Sequence, residues 1–251
     1  KLINISNRYS LNLSVTDLPP IFIIYMNSIP TDLLTSIVIK TGDQPTHSII
    51  WLHGLGSDGN DFVPIVEKLN LQSDLHTRFV FPHAPLQPVS INNGAVMRAW
   101  YDIPGQNLNS NEDAAGIKIS QSAVEKLISR EKQIGIKPEN IVLAGFSQGG
   151  AIALHTGLRY PDKLAGILVL SSYLPLADML VTDAHQSNSS APIFMAHGHK
   201  DTVISPDLAI SSKQKLLELG YGVNWNMYQM EHSVCKDEIS DISKWLKKIL
   251  V

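Results

Sequence analysis

Ile141-Val142-Leu143-Ala144-Gly145-Phe146-Ser147-Gln148-Gly149-Gly150 decides how this chain is read. The apolar run Ile141-Val142-Leu143-Ala144 predicts a buried strand. The strand stops at Gly145, turns sharply and feeds a helix that begins near Gln148. Glycines on both sides of Ser147 permit a strained turn that pushes one hydroxyl outward. A serine hydroxyl is a poor nucleophile, so this reading requires a base and an oxyanion site elsewhere.

Working outward, apolar runs alternate with longer amphipathic stretches from Ile37 onward. Strands are expected at Ile37–Lys40, Ser48–Leu52, Arg78–Phe81, Ile141–Ala144, Gly166–Leu170, Ile193–Ala196 and Asn224–Tyr228. Ile49-Ile50-Trp51-Leu52 and Ile167-Leu168-Val169-Leu170 are apolar throughout, as strands covered on both faces must be. Helices are expected over Asp61–Leu69, Asn111–Lys132 and Gln148–Leu158, and from about Lys236 to the end. A further helix should start at Ser205-Pro206-Asp207, a cap, a first-turn proline and an acid at the positive end, and run to about Leu219. The last helix should turn Ile239, Ile242, Trp245, Leu246 and Ile249 to the core. Alternating strand and helix predict an α/β fold, one doubly wound and mostly parallel sheet with helices on both faces. Pro82–Asn111 breaks the rhythm with prolines and glycines; a functional loop and a structural excursion both fit it.

With 251 residues, 44% hydrophobic and 17% charged, the chain is long enough for one large domain with a sizeable interior. A net charge of -3 gives no general attraction to nucleic acid or anionic lipid. The single cysteine, Cys235, excludes an internal disulfide and a cysteine-based zinc cluster. A cytoplasmic location fits it best, with a disulfide-free periplasmic protein left open. No stretch is apolar for long enough to span a bilayer, so no stable membrane insertion is expected. Ile21–Met26 follows Pro19-Pro20 and is shorter than the roughly 7 to 15 residues of a signal-peptide core. Residues 1–25 are therefore expected to be an extension outside the fold, with Met26 the natural start and 26–251 the domain.

Ligands of an open parallel sheet sit beyond the carboxyl ends of its strands, so catalytic groups should follow strands directly. Of nine histidines, His155 lies within the helix after Ser147 and His185 in a polar, serine-rich loop. His197 ends a strand but sits only four residues before Asp201, too close for comfortable pairing. His232, between the last strand and last helix, is the best base. Asp201, just past the preceding strand, is placed to fix the tautomer of that imidazole. The order Ser147, Asp201, His232 is that of α/β-hydrolases. After the Ile49–Leu52 strand comes His53-Gly54-Leu55-Gly56-Ser57-Asp58-Gly59, and the backbone N–H groups of Leu55 and Gln148 are assigned as oxyanion donors. Because these donors are backbone groups, little role is expected for their side chains.

Two competing chemistries fail on the residues. Gly54-x-Gly56-x-x-Gly59 matches a dinucleotide fingerprint, but the next strand ends Phe81-Pro82-His83 with no acid for a ribose. Asp58 and Asp61 would also repel a pyrophosphate. No histidines fall at metal-ligand spacing, and Cys235, although close to His232, is expected only to pack. No cofactor and no metal are expected.

The chain resembles the carboxylesterase and acyl-protein thioesterase family, the phospholipase/carboxylesterases, within the α/β-hydrolases. The likeness covers about Leu34 to Leu250 and rests on the 53–59 segment, Pro82-His83-Ala84-Pro85 and Met97-Arg98-Ala99-Trp100-Tyr101-Asp102-Ile103. It also rests on Glu112-Asp113-Ala114-Ala115-Gly116-Ile117, Gly145–Gly150, Ser171-Ser172-Tyr173-Leu174-Pro175, His197-Gly198-x-x-Asp201 and His232-Ser233. The resemblance implies a serine hydrolase acting on carboxylic esters and acyl thioesters through an acyl-enzyme. A lactonase, lysophospholipase or peptidase on the same scaffold is the alternative. Loop position and this likeness make Leu55, Leu86, Ile91, Trp100, Leu174 and Leu176 the expected substrate contacts. The expected partner is a small-molecule ester or an acylated protein; oligomeric state is not encoded in any pattern noted above.

Overall fold

Alternate side chains of a strand point to opposite faces, so an apolar run can fill two cores at once. The computed structural model describes residues 33–71, 75–105, 108 and 111–250; the expectations for residues 1–25 and Met26 lie outside them. In chain order the elements are β1 (Ser36–Lys40), β2 (His47–Leu52), α1 (Ile65–Leu69), β3 (Thr77–Pro82), β4 (Leu86–Val89) and β5 (Ala95–Arg98). Next come α2 (Ala114–Gln133), β6 (Ile141–Phe146), α3 (Gln148–Arg159), β7 (Gly166–Leu170) and α4 (Leu180–Asp183). β8 (Ile193–Gly198), α5 (Pro206–Glu218), β9 (Val223–Tyr228) and α6 (Lys236–Ile249) complete the order.

Seven strands form one sheet in the order β1-β3-β2-β6-β7-β8-β9. Only the β1–β3 pair is antiparallel. Leu168 and Leu170 of β7 pack with Ile65 and Leu69 of α1 and Ile242, Trp245 and Leu246 of α6. Ile167 and Val169, one residue out of phase, pack with Leu154 and Leu158 of α3 and Leu216 of α5. α2 covers the same face beside α3, where Ile117, Val124 and Ile128 meet Ile50, Leu52 and Leu143. The doubly wound expectation therefore holds. Burying a side chain of this size contributes about 1.5–3 kcal/mol, and both faces of the central strands collect it.

Several strand ends shift by one or two residues from the sequence reading, and three larger differences have local reasons. α1 is a helix only over Ile65–Leu69, because the chain before Pro64 winds through i→i+3 bonds such as Val63 N–H to the Asn60 carbonyl. α2 begins at Ala114 because Asp113 caps it, accepting from Gly116 N–H at 2.9 Å. Within Pro82–Asn111 lies a two-stranded hairpin, β4–β5, registered Leu86↔Arg98 to Val89↔Ala95. Its turn places Asn93 (φ 57°) and Gly94 (φ 75°) in the left-handed region. In α6, Ile242, Trp245 and Leu246 are buried, while Ile239 and Ile249 pack at the margin of that core.

Candidate active site

The turn after β6 is tight because two glycines remove side chains from it. A Cβ at Gly149 would run into the carbonyl oxygens of Leu52 and His53, and one at Gly145 into the Gly149 backbone. That contact lets Ser147 adopt φ 55° and ψ −124°, a conformation costing a non-glycine residue about 1–3 kcal/mol. Neighbours hold it there. Ser147 N–H donates to the Leu170 carbonyl at 2.9 Å, and the Ser147 carbonyl accepts from the Ser172 hydroxyl at 2.7 Å.

His232, on the loop between β9 and α6, lies with Nε2 2.9 Å from Ser147 Oγ. Its Nδ1 lies 2.7 Å from Asp201 Oδ2. With Nδ1–H donating to the carboxylate, Nε2 is the acceptor facing the serine hydroxyl. The ring rests against Phe146, centroids 4.7 Å apart. Asp201 is buried beyond β8, and its Oδ1 accepts from Val203 N–H and Ile204 N–H, both at 2.9 Å. Burial works to raise the Asp201 pKa, but the His232 hydrogen bond and charge and the two amides outweigh it and hold the carboxyl below its ordinary value.

A second imidazole meets the same carboxylate. His197 Nε2 lies 3.3 Å from Asp201 Oδ2 and 2.9 Å from the Ile204 carbonyl, to which it donates. Burial lowers its pKa, against the opposing pull of the Ile204 carbonyl and Asp201. The spacing argument against a His197–Asp201 contact is thus corrected, because the Gly198–Ile204 turn folds back on itself. Only His232 reaches Ser147.

Leu55 lies in the turn after β2, and Gln148 is the first residue of α3. The loop runs beside Ser147, with a Cβ built at Gly54 only 3.3 Å from Ser147 Cβ. The Gln148 side chain, expected to matter little, is buried and bonded at both ends: Oε1 accepts from Trp100 N–H at 2.8 Å and Nε2 donates to the Tyr101 carbonyl at 2.7 Å.

Three of the expected substrate contacts, Trp100, Leu174 and Leu176, are buried. Trp100 is 1% exposed and its indole N–H donates to the His53 carbonyl at 2.8 Å. Leu174 is 3% exposed within the α3–β7–α5 core. Leu86 stands out on the β4–β5 hairpin at 64% exposure, Ile91 is half-buried on its turn, and Leu176 is buried with φ 49°. Cys235 is half-exposed rather than packed in the core, and precedes α6. Among the described residues no group of three or more His, Cys, Asp or Glu could hold a metal ion. Nor, among the described residues, is any helix long and apolar enough to cross a membrane.

A mostly parallel α/β sheet with a serine, histidine and aspartate meeting at its strand ends defines the α/β-hydrolase class. The phospholipase/carboxylesterase family profile matches residues 34–250, and the chain belongs to that family of hydrolases acting on esters. It is 40% identical over 229 residues to acyl-protein thioesterase 1 of Gibberella zeae, covering 86% of this chain and 96% of that one. The acyl-protein thioesterase 1 of Saccharomyces cerevisiae is 37% identical over 215 residues, covering 82% and 95%. Among solved structures, Arabidopsis thaliana SOBER1 aligns with a TM-score of 0.77 at 33% identity, covering 82% of this chain and 99% of that one. Zea mays acyl-protein thioesterase 2 gives 0.77 at 27% identity, covering 86% and 99%.

Proposed function

We infer that Ser147, His232 and Asp201 are the catalytic triad of an esterase that also cleaves acyl thioesters, and that the amides of Leu55 and Gln148 receive the oxyanion. The observation carrying this reading is the continuous chain Ser147 Oγ–His232 Nε2 (2.9 Å) and His232 Nδ1–Asp201 Oδ2 (2.7 Å). Ser147 gives its proton to Nε2 as Oγ bonds to the substrate carbonyl carbon, and the carbonyl electron pair moves onto oxygen. Collapse of that tetrahedral species breaks the C–O or C–S bond, and the imidazolium returns the proton to the leaving group. Water then gives a proton to Nε2 as it attacks the acyl carbon; Ser147 leaves and recovers that proton, releasing the carboxylic acid. Thiols are stronger acids than alcohols, with a free cysteine pKa of about 8.5, so one triad serves both leaving groups.

The acyl chain rests on Leu55 in the turn after β2, Leu86 and Ile91 along the hairpin, and Leu176 in the segment after β7. Substituting Leu86, Ile91 and Leu176 together by serine should shift chain-length preference; an unchanged preference removes this surface from the site. The single cysteine supports a cytoplasmic setting. The reading as a whole is tested by rates on acyl-cysteine peptides beside short- and long-chain p-nitrophenyl esters. Turnover of both substrate types is expected. Turnover of neither, by the folded protein, overturns it.

A further inference from the structure

We propose that the Arg98–Tyr101 segment clamps the two oxyanion donors into register, with the Gln148 amide side chain and the Trp100 indole as its positioning groups. This rests on the oxyanion assignment above.

The segment bonds to both sides of the site. The Arg98 carbonyl accepts from Gly56 N–H at 2.8 Å, on the residue next to Leu55. Trp100 Nε1–H donates to the His53 carbonyl, two residues before Leu55. Trp100 N–H and the Tyr101 carbonyl both engage the Gln148 side chain. The amide orientation is forced, since a backbone N–H can only donate and a carbonyl only accept.

The far side of the clamp is equally fixed. Burial pushes the His53 imidazole down to about 4, so it is neutral at working pH. Its Nε2 accepts from Ala84 N–H at 3.0 Å and its Nδ1–H donates to the Gly54 carbonyl at 2.7 Å. The Ser120 hydroxyl donates to the Trp100 carbonyl, anchoring the segment to α2. His53, Trp100 and Gln148 are all buried.

An oxyanion hole works because its donors need not move as charge develops, and loss of one donor typically costs about 10²–10³ in rate. Two donors on separate loops must be spaced by something. Here the spacer is a buried segment whose bonds flank one donor in the chain and end on the side chain of the other.

Gln148→Met keeps length and removes both hydrogen bonds; kcat should fall about 10²-fold with KM little changed. Trp100→Phe, which removes only the indole donor, should cost about 10-fold. Affinity for a boronic acid that mimics the tetrahedral state should fall in step with kcat/KM. Gln148→Glu supplies the rescue. Burial raises the pKa of the introduced carboxyl, and its protonated form restores both bonds. Its rate relative to wild type should therefore exceed that of Gln148→Met at low pH and decline as pH rises. Hydrogen exchange of residues 53–56 should speed up in Gln148→Met, whether or not substrate turns over. Wild-type kcat in Gln148→Met, or unchanged exchange at 53–56, overturns the clamp and leaves the hydrolase reading standing. An inactive wild type overturns the hydrolase reading, and exchange alone then decides the clamp.

Discussion

The hydrogen bonds around Asp201 explain why one carboxylate meets two rings. Oδ1 is saturated by the Val203 and Ile204 amides, leaving Oδ2 for His232, with His197 held slightly farther off by its bond to the Ile204 carbonyl. Asp201→Asn substitutes an amide that permits the wrong imidazole tautomer; kcat on p-nitrophenyl esters should fall by up to about 10⁴. A wild-type rate would remove Asp201 from the triad. At Gly149 the constraint is contact between backbones. Gly149→Ala must separate α3 from the end of β2, costing about 1–3 kcal/mol and about 10²-fold in kcat through displacement of Ser147. Normal activity with an unchanged melting temperature would show that the elbow accepts a methyl group. The meeting of Ser147, His232 and Asp201 was legible because Ser147 directly follows β6, while Asp201 and His232 lie in the turns just after β8 and β9. The His197 contact was not, since linear spacing does not reveal how a turn closes. Nor was the Gln148 side chain, whose partners lie 47 and 48 residues away.

Elements were most legible where both faces of a strand are apolar, as in β7, or where a helix opens on Ser-Pro-Asp, as in α5; α2 carries its own Asp113 cap and was still begun too early. β7 was read to the residue, and Ser205 caps α5 as expected, accepting from Asp207 N–H. The hairpin was missed because β4 is four residues long and contains Pro88, which weakens any strand signal. Asn93-Gly94 was the available clue, a pair suited to left-handed turn positions. α6 carries a pH-dependent cost that the sequence did not announce. Glu238, in its first turn, is buried; Oε1 has no partner among the described residues and Oε2 accepts from Cys235 N–H. Burial pushes its carboxyl up to about 8, against the opposing effect of that N–H. The folded state therefore holds a proton that the unfolded state releases, so stability falls as pH rises from about 4.5 to about 8. Glu238→Gln keeps an acceptor and removes the charge. In urea titrations its advantage over wild type should grow across that window to a few kcal/mol and vanish at its acid end. An advantage independent of pH would contradict the assignment.

At the scale of the whole molecule, strand order does what no single loop can. β6, β7, β8 and β9 lie side by side and parallel, so the residues following β6, β8 and β9 emerge along one edge of the sheet. Ser147, Asp201 and His232 occupy those exits, and the 147, 201, 232 order in sequence follows the order of strands in space. The loop proposed to receive the oxyanion joins from β2, the neighbour of β6 on the other side. This arrangement makes the central claim a statement about one oxygen atom: Ser147 Oγ is the nucleophile that His232 activates. A fluorophosphonate probe followed by intact-mass and peptide analysis reads that atom directly. One adduct per chain is expected, on the peptide containing Ser147, absent in Ser147→Ala and formed far more slowly in His232→Ala. Undiminished labelling of Ser147→Ala, or a wild-type adduct on another residue, would contradict the account.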